Sequence, residues 1–196
     1  MSFDIQVYKN HMQVIYFSCI TRLTNVYEAN SIFSVSVARA TPRCYNRKLF
    51  TNHLPGSNPG ERTIMTLRYL YHSVFCIEAD EFAMVIDYYN DACDGPRSID
   101  KGVIDVDTLA RPGAFYVLSS HVHPDHYVPK IFEWKQQRPD INYIFSFDIH
   151  GHGPSEGVTY LNKGDYFDDG IVNIKAYGST DEGISFLIKT GDKSIF

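Results

Sequence analysis

Phe115-Tyr116-Val117-Leu118-Ser119-Ser120-His121-Val122-His123-Pro124-Asp125-His126 is the stretch from which the rest of the chain is read. It opens apolar and β-prone, then becomes a cluster of imidazoles and a carboxylate. Phe115 to Leu118 predict a short buried strand, ended by Ser119 and Ser120. Pro124 fixes its own φ and biases the residues before it toward an extended backbone. In an extended backbone, residues two apart point the same way, so His121 and His123 can address one metal from one side. Asp125 and His126, past the turn, are free to face a second metal. Neutral imidazole and carboxylate are ordinary zinc ligands and also suit iron and manganese. A solvated loop with incidental histidines is the bland alternative, and four potential ligands this close together argue against it.

The stretch resembles the H-x-H-x-D-H motif of the metallo-β-lactamase superfamily, and the apolar strand before it fits as well. The resemblance implies a four-layered αββα sandwich of α+β class. It implies His121 and His123 on a first metal, with Asp125 and His126 on a second. Zinc, one or two ions, is the implied cofactor, with manganese or iron as other occupants. Relatives with a di-iron centre usually carry a carboxylate at the place of His123, so a histidine there points to zinc and hydrolysis. The implied chemistry is attack by a metal-bound hydroxide, with Asp125 as the catalytic carboxylate that orients it. A small ester, lactone or phosphodiester is the expected substrate.

Upstream, Thr66–Tyr71, Val74–Ile77 and Phe82–Ile86 predict three short strands, with a tight turn at residues 78–81. Their succession resembles the opening meander of the same superfamily. His72-Ser73 and Asp87 stand at places where the family has a histidine-serine pair and a strand-closing aspartate. By that match Asp87 would hydrogen-bond to the metal loop and hold its shape, and His72 would contact substrate or a bound water. An aspartate that merely caps a turn, and a turn histidine, are the plain alternatives. The His72-Ser73 opening looks more like the lactonase and phosphodiesterase branch than the antibiotic-resistance branch. Val106 to Ala110 predict a helical turn, with a loop at Arg111-Pro112-Gly113.

Downstream, Val128, Ile131, Phe132 and Trp134 have helical spacing, which predicts an amphipathic helix over 127–137 with Pro129 in its first turn. Asn142–Phe147 then predict a strand, closing a β-α-β unit. His150-Gly151-His152 repeats the H-x-H spacing without a following carboxylate and reads as a cleft-lining loop. Residues 157–161, 164–167, 171–176 and 184–189 predict strands of a second sheet, with turns at 177–183 and 190–193. Where the family commonly has a glycine-histidine-threonine turn, this chain has Gly178-Ser179-Thr180. Ser179 thus occupies a ligand's place, and Tyr177, Asp181 or Glu182 could substitute. The resemblance covers residues 65–196, about the first two-thirds of such a domain, so the chain is expected to be an incomplete catalytic unit. A metal-binding or regulatory relative that lost its third ligand is the alternative reading.

Composition bounds the rest. The 196 residues are 44% hydrophobic, enough for one domain with a sizeable core. The formal charge of −5 argues against nucleic acid as a partner. Residues 1–64 hold seven Lys/Arg and three Asp/Glu, a charge of +4, and the rest of the chain sums to −9. That change of sign marks a boundary near residue 64, with residues 1–64 as a poorly defined segment carrying no motif. Cys19, Cys44, Cys76 and Cys93 form no C-x-x-C pair. No membrane span or signal-peptide pattern is found, so the cytoplasm is the default compartment.

Overall fold

The structure, a computed structural model, describes residues 2–6, 16–19, 47–55, 62–191 and 193–196. Among them, thirteen strands form two sheets. In chain order the strands are β1 (Ser2–Gln6), β2 (Tyr16–Cys19), β3 (Arg47–Pro55), β4 (Arg62–Tyr71), β5 (Val74–Glu78), β6 (Phe82–Ile86) and β7 (Ala114–Ser119). Then follow β8 (Asn142–Ser146), β9 (Val158–Leu161), β10 (Tyr166–Asp168), β11 (Asn173–Gly178), β12 (Ile184–Thr190) and β13 (Lys193–Ile195).

The first sheet has the order β3-β4-β5-β6-β7-β8-β9. It is an antiparallel meander as far as β6 and parallel from β6 to β9. The parallel half has cover on both faces, which is why β7 is buried from Phe115 to Ser119 and reads as a continuous apolar run. The second sheet has the order β10-β11-β12-β13-β1-β2, with β1 parallel to β13. Its strands alternate instead. Ile184, Phe186 and Ile188 are buried, while Lys189, like Lys175 and Tyr177 on β11, is exposed. One face of β11 and β12 therefore packs and the other meets solvent.

Two cores follow from the two faces of the first sheet. Met84, Tyr116, Leu118 and Ile144 meet Ile174, Ala176, Ile184 and Ile188 between the sheets. On the opposite face Val85, Val117, Tyr143 and Phe145 pack against Tyr88, Leu109, Ile131 and Trp134. Each Val, Leu, Ile, Phe or Met side chain among these, fully buried, contributes roughly 1.5–3 kcal/mol. Tyr116 ties the sheets together by donating to Asp169 at 2.6 Å, and burial together with this bond pushes its phenol pKa up.

The described residues make a sheet-rich α+β fold of three layers: helical segments, sheet and sheet. The fourth layer of the expected sandwich is not among them. No helix among them is long and apolar enough to cross a membrane.

Several expectations shift. The helix after His126 is a 3-10 helix, Pro129–Gln136, not an α-helix. Three residues per turn put Ile131 and Trp134 in one row on the core, which the 3.6-residue reading could not separate from an α-helix. Residues 158–161 join the first sheet, parallel to β8, and not the second. Strand membership is set by this non-local pairing, which composition does not carry. The helical turn at Val106–Leu109 (α1) forms where expected, with Asp105 accepting from the backbone N–H of Thr108. β4 begins at Arg62 and pairs with β3, so the change of charge near residue 64 falls within a strand. Phe33, Val35 and Val37, whose alternation with Ser34 and Ser36 predicts a strand, lie outside the described residues.

Candidate metal centre

The histidine stretch leaves the C-terminal end of β7, between the ends of the parallel strands β6 and β8. Open parallel sheets collect their functional groups at this end. β6 delivers Asp87, β8 and its following 3-10 turn deliver Asp148, and the β4–β5 turn delivers His72 and Ser73. The β11–β12 turn arrives from the other sheet with Ser179 to Gly183.

Asp87 organises the loop. Its backbone is left-handed, with φ 55°, a conformation that aspartate tolerates better than most residues. Its N–H donates to Leu118 O at 2.9 Å. Its carboxylate accepts from Ser120 N at 2.7 Å and Ser120 Oγ at 2.9 Å, and pairs with His126 Nδ1 at 2.8 Å. The last contact leaves His126 Nε2 as the nitrogen available to a ligand. Asp148 Oδ2 accepts from Val122 N at 3.0 Å and secures the middle of the stretch. His126 N and Tyr127 N both donate to His123 O, closing the turn past Pro124.

The three imidazoles cluster. The ring centroids of His121 and His126 lie 3.9 Å apart, and those of His121 and His123 lie 4.7 Å apart. Burial, with the neighbouring His126, pushes the His121 pKa down, so this imidazole stays in the neutral, ligand form. Two sets of three have ligand atoms all within 4.8 Å of one another: His121, Asp125 and His126, and His121, His123 and Asp181. Each expected pair falls within one set, Asp125 with His126 in the first and His121 with His123 in the second, and His121 belongs to both.

Asp125 sits between two histidines, with Oδ2 at 3.1 Å from His72 Nε2 and 3.5 Å from His126 Nε2. Burial opposes its charge, but the His72 hydrogen bond and the His126 charge outweigh it and hold the Asp125 pKa below its ordinary value. Ser73 Oγ donates to the Asp125 carbonyl. His72, itself left-handed at φ 51°, therefore contacts a motif residue directly. Tyr71 and Tyr89 stack around it, with ring centroids 6.5 and 6.0 Å from the His72 ring.

Ser179 is not in either set. Its Oγ accepts from Asp181 N at 3.1 Å and so shapes the turn that presents Asp181. His150 and His152 are in neither set as well. The His150 ring packs on Tyr160 at 5.0 Å, and the His152 carbonyl accepts from Tyr127 OH at 3.1 Å. Sequence reasoning did not single out Asp148 or Gly183. Gly183, at φ 76°, lets Ile184 N reach Ser120 O at 2.9 Å, and a Cβ on it would lie 2.2 Å from that oxygen. Its left-handed turn is a signal that the sequence does carry.

The residues fit a metal. His121 Nε2 is buried and has no hydrogen-bond partner among the described residues, which is costly for an imidazole nitrogen unless something else takes its lone pair. Imidazole and carboxylate donors suit zinc, iron or manganese alike.

No protein-family model matches the chain, and no curated protein does either. Among solved structures, the chain is similar to one named as a metal-dependent hydrolase from Parabacteroides distasonis, with 15% identity and a TM-score of 0.48, covering 66% of this chain and 57% of that one. It is similar to CmlA, a diiron β-hydroxylase from Streptomyces venezuelae, with 16% identity and a TM-score of 0.46, covering 66% and 28%. It is also similar to a metallo-β-lactamase from Hirschia baltica, with 11% identity and a TM-score of 0.37, covering 79% and 65%. The chain thus spans little more than half the length of the first of these. Likenesses this distant do not assign an activity.

Proposed function

We propose that this chain is a metal-dependent hydrolase of the metallo-β-lactamase superfamily, with residues 65–196 belonging to an αββα domain of that kind. The observation that carries the reading is the buried His121, its Nε2 without a partner among the described residues, at the meeting point of two three-ligand sets. His121, His123, Asp125 and His126 are the proposed ligands, and zinc is the proposed metal. A bound metal of this type supplies Lewis acidity and lowers the pKa of water toward about 7.

The chain's own residues prepare that chemistry. Asp87 holds His126 by Nδ1 and the loop by Ser120. Asp125, kept ionised by His72 and His126, accepts a hydrogen bond from the attacking water and orients it. Tyr71, His72 and Tyr89 line one side of the approach. The substrate is proposed to be a small ester, lactone or phosphodiester and not a nucleic acid, given the −5 charge of the chain. A cytoplasmic setting is proposed as the default for a sequence without a signal-peptide pattern.

Ser179, at the place of a family ligand, supports the second reading: a metal-binding relative without turnover. Metal analysis of the purified chain, followed by assays with an ester, a lactone and a bis-aryl phosphodiester, separates the two. Bound zinc with turnover of one substrate supports the hydrolase. Bound zinc without turnover of any favours the second reading, and no metal at saturating zinc sinks both.

A further inference from the structure

Asp181 lies in a turn of the second sheet, far in sequence from the histidines, yet it completes a three-ligand set with His121 and His123. Three contacts place it. Ser179 Oγ accepts from Asp181 N and fixes the turn. Ile184 N donates to Ser120 O, next to His121. Gly183 sits so close to Ser120 O and the His121 Cβ that no side chain could intervene. The turn is therefore latched to the histidine loop two residues beyond Asp181. Glu182, by contrast, has Oε2 3.6 Å from His123 Nε2 and belongs to neither ligand set among the described residues.

We propose that Asp181 is the third ligand of the His121–His123 metal, and that this two-imidazole, one-carboxylate set moves the site's preference from zinc toward iron(II) and manganese(II). The inference rests on the metal-centre reading above and extends it to a residue and a metal class. Carboxylate is a harder donor than imidazole. Two histidines and one carboxylate with open positions hold zinc in some hydrolases and iron(II) in mononuclear oxygenases, so relative to a three-imidazole set the carboxylate raises the share of iron(II) and manganese(II) without excluding zinc. Intrinsic affinity still follows the order Mn < Fe < Zn, so the effect is a change in competition ratio and not an inversion.

The test uses the full chain, stripped with chelator and dialysed anaerobically against equimolar zinc, manganese(II) and iron(II), with bound metal measured by mass spectrometry. Wild type is compared with Asp181→Ala, Asp181→His and Glu182→Gln, and thermal melting checks that each is folded. Asp181→Ala is expected to lose metal from one site, with affinity lowered about tenfold or more, the scale on which ligand-environment changes act. Asp181→His should recover the occupancy and raise the zinc-to-manganese ratio relative to wild type. Glu182→Gln should match wild type. If Asp181→Ala keeps the wild-type metal content and ratio, Asp181 is no ligand and the proposal falls while the metal centre stands. If Asp181→His restores occupancy with an unchanged ratio, the claim about preference falls. Wild type that binds no metal overturns the metal centre itself, and this inference with it.

Discussion

The chain contains H-x-H twice, at His121-Val122-His123 and at His150-Gly151-His152, and both follow parallel strands of the same sheet. The first pair clusters with carboxylates, while the second faces outward, both its histidines exposed. The difference is not in the spacing but in what ties each loop down. The first is bound by Asp87 through Ser120 and His126, by Asp148 through Val122, and by Ile184 through Ser120. The second bends at Gly151, around which there is open space. Even so, the second loop serves the first, because its leading residue, Asp148, grips the Val122 amide. Spacing nominates ligands, and anchoring decides which of them can share a metal.

The largest effect that separates the two loops is in metal uptake. Replacing His121 and His123 together with Ala should abolish zinc binding measured by metal analysis, since His121 belongs to both ligand sets. Replacing His150 and His152 with Ala should leave zinc content unchanged. Equal losses from both pairs would mean that the loops are not functionally distinct.

A smaller effect tests the anchoring itself. Asp87→Asn keeps a residue that tolerates φ 55° but puts a donor where the loop needs an acceptor. Zinc affinity, read by competition with a chromogenic chelator, should fall roughly 10–100-fold. Asp148→Asn should act in the same direction through Val122. Unchanged affinity in both variants would show that the histidines hold their positions without these carboxylates.

The difference between the loops was only partly legible in the sequence. The motif residues are neighbours in the chain and follow an apolar strand, so local pattern finds them. Asp87 and His72 could be placed only by resemblance, because their partners lie 33 and 53 residues away. Asp148 and Asp181 come close through packing between strands and between sheets, which no local pattern records. The same limit explains residues 158–161, whose alternation fits either sheet and whose place is set by pairing with β8. The 3-10 helix was misread for a different reason. Spacings of three and four occur in both helix types, and only backbone hydrogen bonds such as Ile131 N to Val128 O and Gln137 N to Trp134 O distinguish them.

The smallest expected effect is in stability, and it contrasts one glycine from each loop contact. Gly183 has φ 76° and Gly151 has φ 90°, so an alanine at either meets the same left-handed penalty of roughly 1–2 kcal/mol. Their surroundings differ. A Cβ at 183 would lie 2.2 Å from Ser120 O and 2.6 Å from the His121 Cβ, whereas a Cβ at 151 would meet nothing within 4 Å. Backbone cannot yield as a flexible side chain does, so Gly183→Ala must push the β11–β12 turn away from the histidine loop. It should lose about 3 kcal/mol or more, the upper part of the range for single substitutions. At about 2–4 °C per kcal/mol for a chain of this size, thermal melting resolves the two variants. Gly183→Ala should also bind less metal, because the displaced turn carries Asp181 with it, and Gly151→Ala should not. Equal melting losses with unchanged metal content would show that the contact between the second sheet and Ser120 does not hold the site together.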